Sequence, residues 1–131
     1  MKFFSPEWAA ELKNQINLNQ EYKNSSEGWD WLLILSIKDS QDKQSLLLDL
    51  NNGECRGIQT ANQDDINKCH FIISAGKDTW KKILTGSLSA MQAMMIKSLT
   101  IDKGNMSELF PYVNSLKELL NAATRVQTEF E

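Results

Sequence analysis

Trp80-Lys81-Lys82-Ile83-Leu84-Thr85-Gly86-Ser87-Leu88-Ser89-Ala90-Met91-Gln92-Ala93-Met94-Met95, with Leu99-Thr100-Ile101 close behind, is the stretch that decides how this chain folds. Trp80, Ile83 and Leu84 share one face of a helix that Asp78 is placed to cap and Gly86 to stop. Ser89 with Gln92 three residues on has the form of a capping box, so a second helix starts just before Met91 and runs to about Lys97. Leu99 and Ile101 then alternate as a short strand. Helix, helix, strand is a connection that permits a crossover within one sheet.

Upstream, Trp29, Trp31, Leu33, Leu35 and Ile37 form a wholly apolar face, and Asp30, Leu32, Ile34, Ser36 and Lys38 a mixed one. Such alternation predicts a strand buried on one side. After a polar turn at Asp39 to Lys43, a second strand from Gln44 to Asn51 sets Leu46, Leu48 and Leu50 on one face. Asn52-Gly53 is the preferred two-residue hairpin pair, so a third strand, Glu54 to Gln59, returns antiparallel. A polar loop, Thr60 to Asn67, in which Asp64-Asp65 reads as a solvated pair, leads to a fourth strand from Lys68 to Ala75. There Cys69, Phe71 and Ile73 take one side, His70, Ile72 and Ser74 the other.

At the amino end, Ser5 caps a first helix with Pro6 at its first position, where the missing N–H costs nothing. Trp8, Leu12 and Ile16, with Ala9 beside them, give this helix a single apolar stripe, that of a lid or buttress. The polar run Asn24 to Gly28 ends it. At the other end, Asn105 to about Thr124 reads as the last helix, with Leu109, Val113, Leu116, Leu120 and Ala123 along one face. Pro111 removes a backbone bond in its second turn and predicts a bent or late start. The order is helix, four strands, two helices, strand, helix. It predicts an α+β fold with a five-stranded, mixed but largely antiparallel sheet and helices over one face, one domain over residues 1–131.

Composition narrows the function. At 131 residues, 41% apolar and 24% charged, the chain can bury a core without staples. Its longest apolar run, Trp31 to Leu35, falls far short of the roughly 18 residues of a membrane span. Pro6 comes too early for a signal peptide, so a cytoplasmic protein is expected. A net charge of −3, with the lysines spread along the chain, leaves no electrostatic footprint for nucleic acid. Cys55 and Cys69 lack CxxC spacing; small reduced thiols are the expectation, a disulfide or a metal pair the alternative. His70 is the only histidine, with no second acid-base group that spacing identifies, and reads as structural or surface rather than catalytic. No GxGxxG, phosphate loop or HExxH occurs. The expectation is a protein without catalytic residues, cofactor or metal.

What remains is a surplus of apolar side chains. Trp80, Ile83, Leu84, Met91, Met94 and Met95, set against the inner face of the first two strands, exceed what a thin two-layer fold needs. Methionine adapts to irregular guests because it is unbranched and polarisable. At the same spacing it also serves as plain core, and the pattern alone leaves both readings open.

The tract from Trp80 to Met95, followed by Leu99-Thr100-Ile101-Asp102-Lys103-Gly104-Asn105-Met106, resembles the second half of the sterol carrier protein 2 (SCP-2) lipid-binding domain. Phe4-Ser5-Pro6-Glu7-Trp8 and Trp29 look like its stand-alone bacterial branch, and the likeness covers nearly the whole chain. The resemblance implies a hydrophobic tunnel between sheet and helices that accepts fatty acids, acyl-coenzyme A, sterols or other lipids. It carries the lining over to Ile83, Leu84, Met91, Met94, Met95, Leu99 and Ile101, with Trp80 near them. Two departures stand out: Lys97-Ser98 where many members have a glycine, and Gly104-Asn105 where many have Gly-Asp. Lys77, Lys81 and Lys82 near the tunnel mouth are either a solvated helix face or contacts for a lipid head group.

The function this implies is non-catalytic carriage of a lipid or acyl-chain ligand, with transient membrane contact and no nucleic-acid partner. The alternative is an accessory subunit for an enzyme of a lipid or quinone pathway, built on the same fold.

Overall fold

Ser5 begins the first element as expected: its side chain accepts the Trp8 N–H at 3.2 Å, and Pro6 takes the first helical position. In the computed structural model, which describes residues 2–38 and 44–129, helix α1 (Pro6–Leu18) buries Trp8, Ala9, Leu12 and Ile16. It stops short of Asn24. The Asn19 Oδ1 accepts the Tyr22 N–H at 3.2 Å and its Nδ2 donates to the Glu118 carbonyl at 3.0 Å. A side chain committed to a distant helix thus breaks the run, and α2 (Gln20–Ser25) follows as a separate turn.

Strands β1 (Asp30–Ile37), β2 (Ser45–Asn51) and β3 (Glu54–Thr60) form an antiparallel meander. The polar turn expected at Asp39 to Lys43 lies outside the described residues. The β2–β3 turn is the one its residues demand, with Asn52 at φ 51° and Gly53 at φ 85°. Its tip is clamped. The Asn52 N–H donates to the Trp29 carbonyl at 3.1 Å and to Asp30 Oδ1 at 2.9 Å, and the Asn52 Oδ1 accepts the Gly28 N–H at 2.7 Å. A Cβ on Gly53 would stand 3.1 Å from the Lys23 backbone.

The segment read as a polar loop contains α3 (Gln63–Lys68). Asn62 and Asp65 make a reciprocal capping box, Asp65 N to Asn62 Oδ1 at 2.9 Å and Asn62 N to Asp65 Oδ2 at 3.0 Å. Asp65 is therefore buried rather than solvated, and Lys68 lies 3.5 Å from it. Because Lys68 belongs to this helix, β4 (Phe71–Ala75) starts three residues later than predicted. Helices α4 (Lys77–Leu84) and α5 (Ala90–Met95), strand β5 (Leu99–Lys103), a short α6 (Met106–Leu109), a 3-10 turn (Phe110–Tyr112) and α7 (Val113–Thr124) complete the chain. Pro111 sits in the 3-10 turn, where the sequence predicts a bend.

The sheet is open, in the order β3-β2-β1-β4-β5. It is mixed and largely antiparallel, as the order of elements predicts, with β1 and β4 the parallel pair. That pair is not the one expected from the α4–α5 connection. β2 occupies one edge of β1, which leaves the other edge to β4, while β4 and β5 pair antiparallel.

One face carries the main core: Trp29, Leu33, Leu35, Leu48, Phe71 and Ile73 pack with the apolar stripes of α1, α4 and α7. Each such aliphatic or aromatic side chain, fully buried, contributes about 1.5–3 kcal/mol. Trp31 stacks on Phe71 with centroids 4.2 Å apart. The opposite face holds a small cluster of Ile34, Leu47 and Cys69, packed against half-buried Leu32, Ile66 and Ile72. Ile66 comes from α3, and the Lys103 Nζ ties β5 to the same helix by donating to the Ile66 and Asn67 carbonyls at 2.9 Å each. Cys69 thus sides with Ile34, not with Phe71 and Ile73, because it precedes the strand and escapes its alternation.

Candidate functional site

Gly76 occupies the cap position of α4, and Asp78 lies in its first turn, where a carboxylate favours the helix dipole without capping it. The Trp80 Nε1 donates to the Ser36 carbonyl at 2.9 Å, fastening α4 to β1. The helix ends in a glycine-closed turn: Gly86 at φ 82°, its N–H on the Ile83 carbonyl at 3.2 Å, and the Ser87 N–H on the Lys82 carbonyl at 2.9 Å. Three residues on, the capping box read from sequence is present. Ser89 Oγ accepts the Gln92 N–H and Gln92 Oε1 accepts the Ser89 N–H, both at 3.1 Å. These two devices fix where α5 begins. Ala90 and Ala93 turn inward, and Lys97, at φ 61°, closes the segment in the left-handed region.

Two cavities flank α5. The larger, about 600 Å³, opens between the α4–α5 corner and α7; Ile83, Leu88 and Met91 form one wall, and Val113, Lys117 and Leu120 stand on the other. The smaller, about 300 Å³, is lined by Met94, Leu99, Ile101 and Met106, with Lys97 and Thr100 at its side. Ligand pockets run roughly 300–1,000 Å³, so the larger one is of a size to hold an acyl chain.

The eight residues expected as lining are distributed accordingly. Ile83 and Met91 border the larger cavity; Met94, Leu99 and Ile101 border the smaller. Trp80, 1% exposed, and Leu84 belong to the core behind them. Met95 is 79% exposed and borders neither cavity. The residues that sequence reasoning missed are those of α7. Its expected stripe of Leu116, Leu120 and Ala123 is buried, but the neighbouring stripe of Asn114, Lys117, Asn121 and Thr124 faces the cavity. That stripe is polar, and nothing in its spacing marks it as a wall. Among the described residues, Lys117 is the one charged residue lining the larger cavity.

Potential nucleophiles lie elsewhere. Cys55 and Cys69 are free and buried. Burial pushes the Cys55 thiol up to about 12 and raises that of Cys69, which keeps both protonated and unreactive at neutral pH. The His70 Nδ1 accepts the Leu32 N–H at 3.0 Å and its ring lies parallel to that of Trp31, a placement that ties the start of β4 to β1. No group of three or more metal-ligating side chains occurs among the described residues. No helix among them is long and apolar enough to cross a membrane.

The SCP-2 sterol transfer family matches residues 10–117. Among solved structures, a sterol carrier protein 2 is similar over 96% of this chain and 100% of its own, at 26% identity and a TM-score of 0.86. A conserved hypothetical protein of Thermus thermophilus is similar over 98% and 92%, at 26% identity and a TM-score of 0.83. Sterol Carrier Protein 2 of Aedes aegypti, solved in complex with palmitate, shares the fold over 93% and 98% at 15% identity, with a TM-score of 0.59. A direct comparison with curated protein sequences finds no significant match.

Proposed function

We propose that this chain, which belongs to the SCP-2 sterol transfer family, is a single-domain, non-catalytic carrier of an acyl-chain or similar apolar ligand, working in the cytoplasm. The observation that carries this reading is the cavity of about 600 Å³ between α5 and α7, in a fold whose relative from Aedes aegypti was solved with palmitate. Ile83, Leu88 and Met91 receive the chain, Met94, Leu99 and Ile101 extend the apolar lining on the far side of α5, and Trp80 and Leu84 hold the wall rigid.

Burying about ten methylenes contributes on the order of 8 kcal/mol gross. Association and ordering costs of about 4 kcal/mol or more are subtracted from it. The net is about 4 kcal/mol or less, roughly millimolar binding from ten methylenes alone, with little discrimination among chains of similar length. No step of this function requires a nucleophile, an acid-base pair or a metal.

Native mass spectrometry of freshly purified protein, set against the denatured mass, tests the reading. A reproducible extra mass that extracts into organic solvent, together with displacement of a fluorescent fatty-acid probe, supports carriage. An empty protein that takes up no probe counts against it. That result would leave the accessory-subunit alternative, which rests on the exposed side chains of Met95, Ile96 and Phe110.

A further inference from the structure

Among the described residues, most of the large exposed apolar side chains come from α5 and the turn after β5. Met91, Met95, Ile96, Met106 and Phe110 are 43%, 79%, 65%, 43% and 63% exposed, and Leu18, at 75%, stands apart on α1. Met91 and Met95 are one turn apart on the outer face of α5, since Ala90 and Ala93 take the inner one. Met106 and Phe110 are likewise one turn apart, the Phe110 N–H bonded to the Met106 carbonyl. The two turns border one opening: Met94, which lies between Met91 and Met95 on α5, walls the smaller cavity together with Met106. Single exposed apolar residues are ordinary on a protein surface, whereas a contiguous group marks a surface that is covered.

The charge around this group differs from that of the rest of the chain. From Lys77 to Met106 there are five lysines (Lys77, Lys81, Lys82, Lys97, Lys103) and two aspartates (Asp78, Asp102), a net +3, which against −3 for the whole chain leaves −6 for the remainder. Lys81, Lys82 and Lys97 are exposed. Among the described residues, the carboxylates on these elements are Asp78 in the first turn of α4, Asp102, which accepts the Ser74 and Thr100 hydroxyls, and Glu108 on α6. Lys103 is turned to the α3 side by its bonds there.

From this combination we infer that the outer face of α5, with the Met106–Phe110 turn, docks on an anionic lipid bilayer. Unbranched methionines and a phenylalanine enter the interfacial region, and lysines flanking them meet anionic head groups. A second copy of the chain is the poorer occupant, since a two-fold interface would set this cationic face against itself. The face also borders both cavities, through Met91 at the larger and Met94 and Met106 at the smaller. A ligand would therefore leave toward the bilayer without crossing water, a consequence that rests on the carrier reading, while docking itself does not.

Vesicle flotation tests the inference, with pure phosphatidylcholine compared with vesicles containing about one third phosphatidylglycerol. The wild-type chain is expected to float with the anionic vesicles and to be released by high salt. The pair Met95→Asp and Ile96→Asp should lower the bound fraction about tenfold, and Lys97→Glu about threefold. Leu18→Asp should change nothing. Circular dichroism and the thermal midpoint should stay at wild-type values, because all four side chains are exposed. No binding to anionic vesicles, or an equal loss in Leu18→Asp, overturns the inference. So does a wild-type dimer in light scattering that the paired variant dissociates, which would assign the face to a second copy. Probe uptake in solution, measured in parallel, separates the two proposals: lost flotation with intact uptake in the paired variant supports docking as a distinct property, and flotation by a chain that takes up no probe overturns carriage alone.

Discussion

The β1–β2–β3 meander and the α4–α5–β5 segment use apolar residues in opposite ways. In the meander, Leu33, Leu35, Leu46, Leu48 and Leu50 are at most 4% exposed, and they interlock with Trp8, Leu12 and Ile16 of α1. In the second segment, Met91, Met95 and Ile96 are 43–79% exposed and Met94 is only half-buried beside a void. The first region converts apolar area into stability. The second withholds it, leaving thioether side chains with room to move, which is the property a guest molecule uses.

The largest effect that could break this contrast lies in the meander. Leu48→Ala should destabilise the protein by about 2–5 kcal/mol in urea unfolding, since a fully buried leucine leaves a void its neighbours only partly fill. Met95→Ala should stay within about 0.5 kcal/mol of wild type. Equal losses at the two sites would erase the distinction. Next comes Gly104, at φ 105°, where an added Cβ would lie 2.5 Å from the Phe71 ring. Gly104→Ala should cost about 1–3 kcal/mol by thermal unfolding, showing that the boundary between the two regions is tightly packed even though the cavities beside it are not.

A third test sharpens the functional side of the contrast. Met91→Trp should weaken binding of a fluorescent fatty acid about tenfold, roughly 1.4 kcal/mol, by filling the larger cavity. Met95→Trp should change it less than about twofold, and the reverse ranking would place the ligand on the outer side of α5.

A fourth test concerns pH. Cys55 lies in the meander with its pKa pushed up from 9.0 to about 12 by burial. The unfolded chain gives up this proton first, so the stabilisation is complete below pH 9 and is lost as pH rises toward 12. Unfolding free energy should fall by about 1 kcal/mol per pH unit above 9 in wild type and more gently in Cys55→Ala. Parallel slopes would remove Cys55 as the cause. The smallest effect is expected at Lys97, whose φ of 61° suits glycine better. Lys97→Gly should raise stability by about 0.5–1 kcal/mol in the same assay.

The sequence made the local devices legible and the non-local ones not. The Ser5 cap, the Asn52-Gly53 turn, the Gly86 stop and the Ser89/Gln92 box each depend on residues within a few positions of one another, and all are present. Helix α3 escaped because Ile66 is its sole large apolar residue, which leaves no period to detect. The break at Asn19 depends on the Glu118 carbonyl, 99 residues away. The parallel pairing of β1 with β4 follows from which edge the meander leaves free. Half of the candidate site was legible through the methionines and the strand after them. The α7 wall was not, because Asn114, Lys117 and Asn121 look like any solvated stripe until α5 is folded across from them.

The clamp on the β2–β3 turn has a consequence for how the chain finds its pairing. A one-residue slip between β1 and β2 would move Leu46, Leu48 and Leu50 to the far face and bring in Leu47 and Asp49, which leaves a single leucine inside and buries a carboxylate. The same slip would carry Asn52 away from the Trp29 carbonyl, the Asp30 carboxylate and the Gly28 N–H together. Misaligned strands thus forfeit several polar bonds at once with the buried leucines, so the turn and the core select the same register.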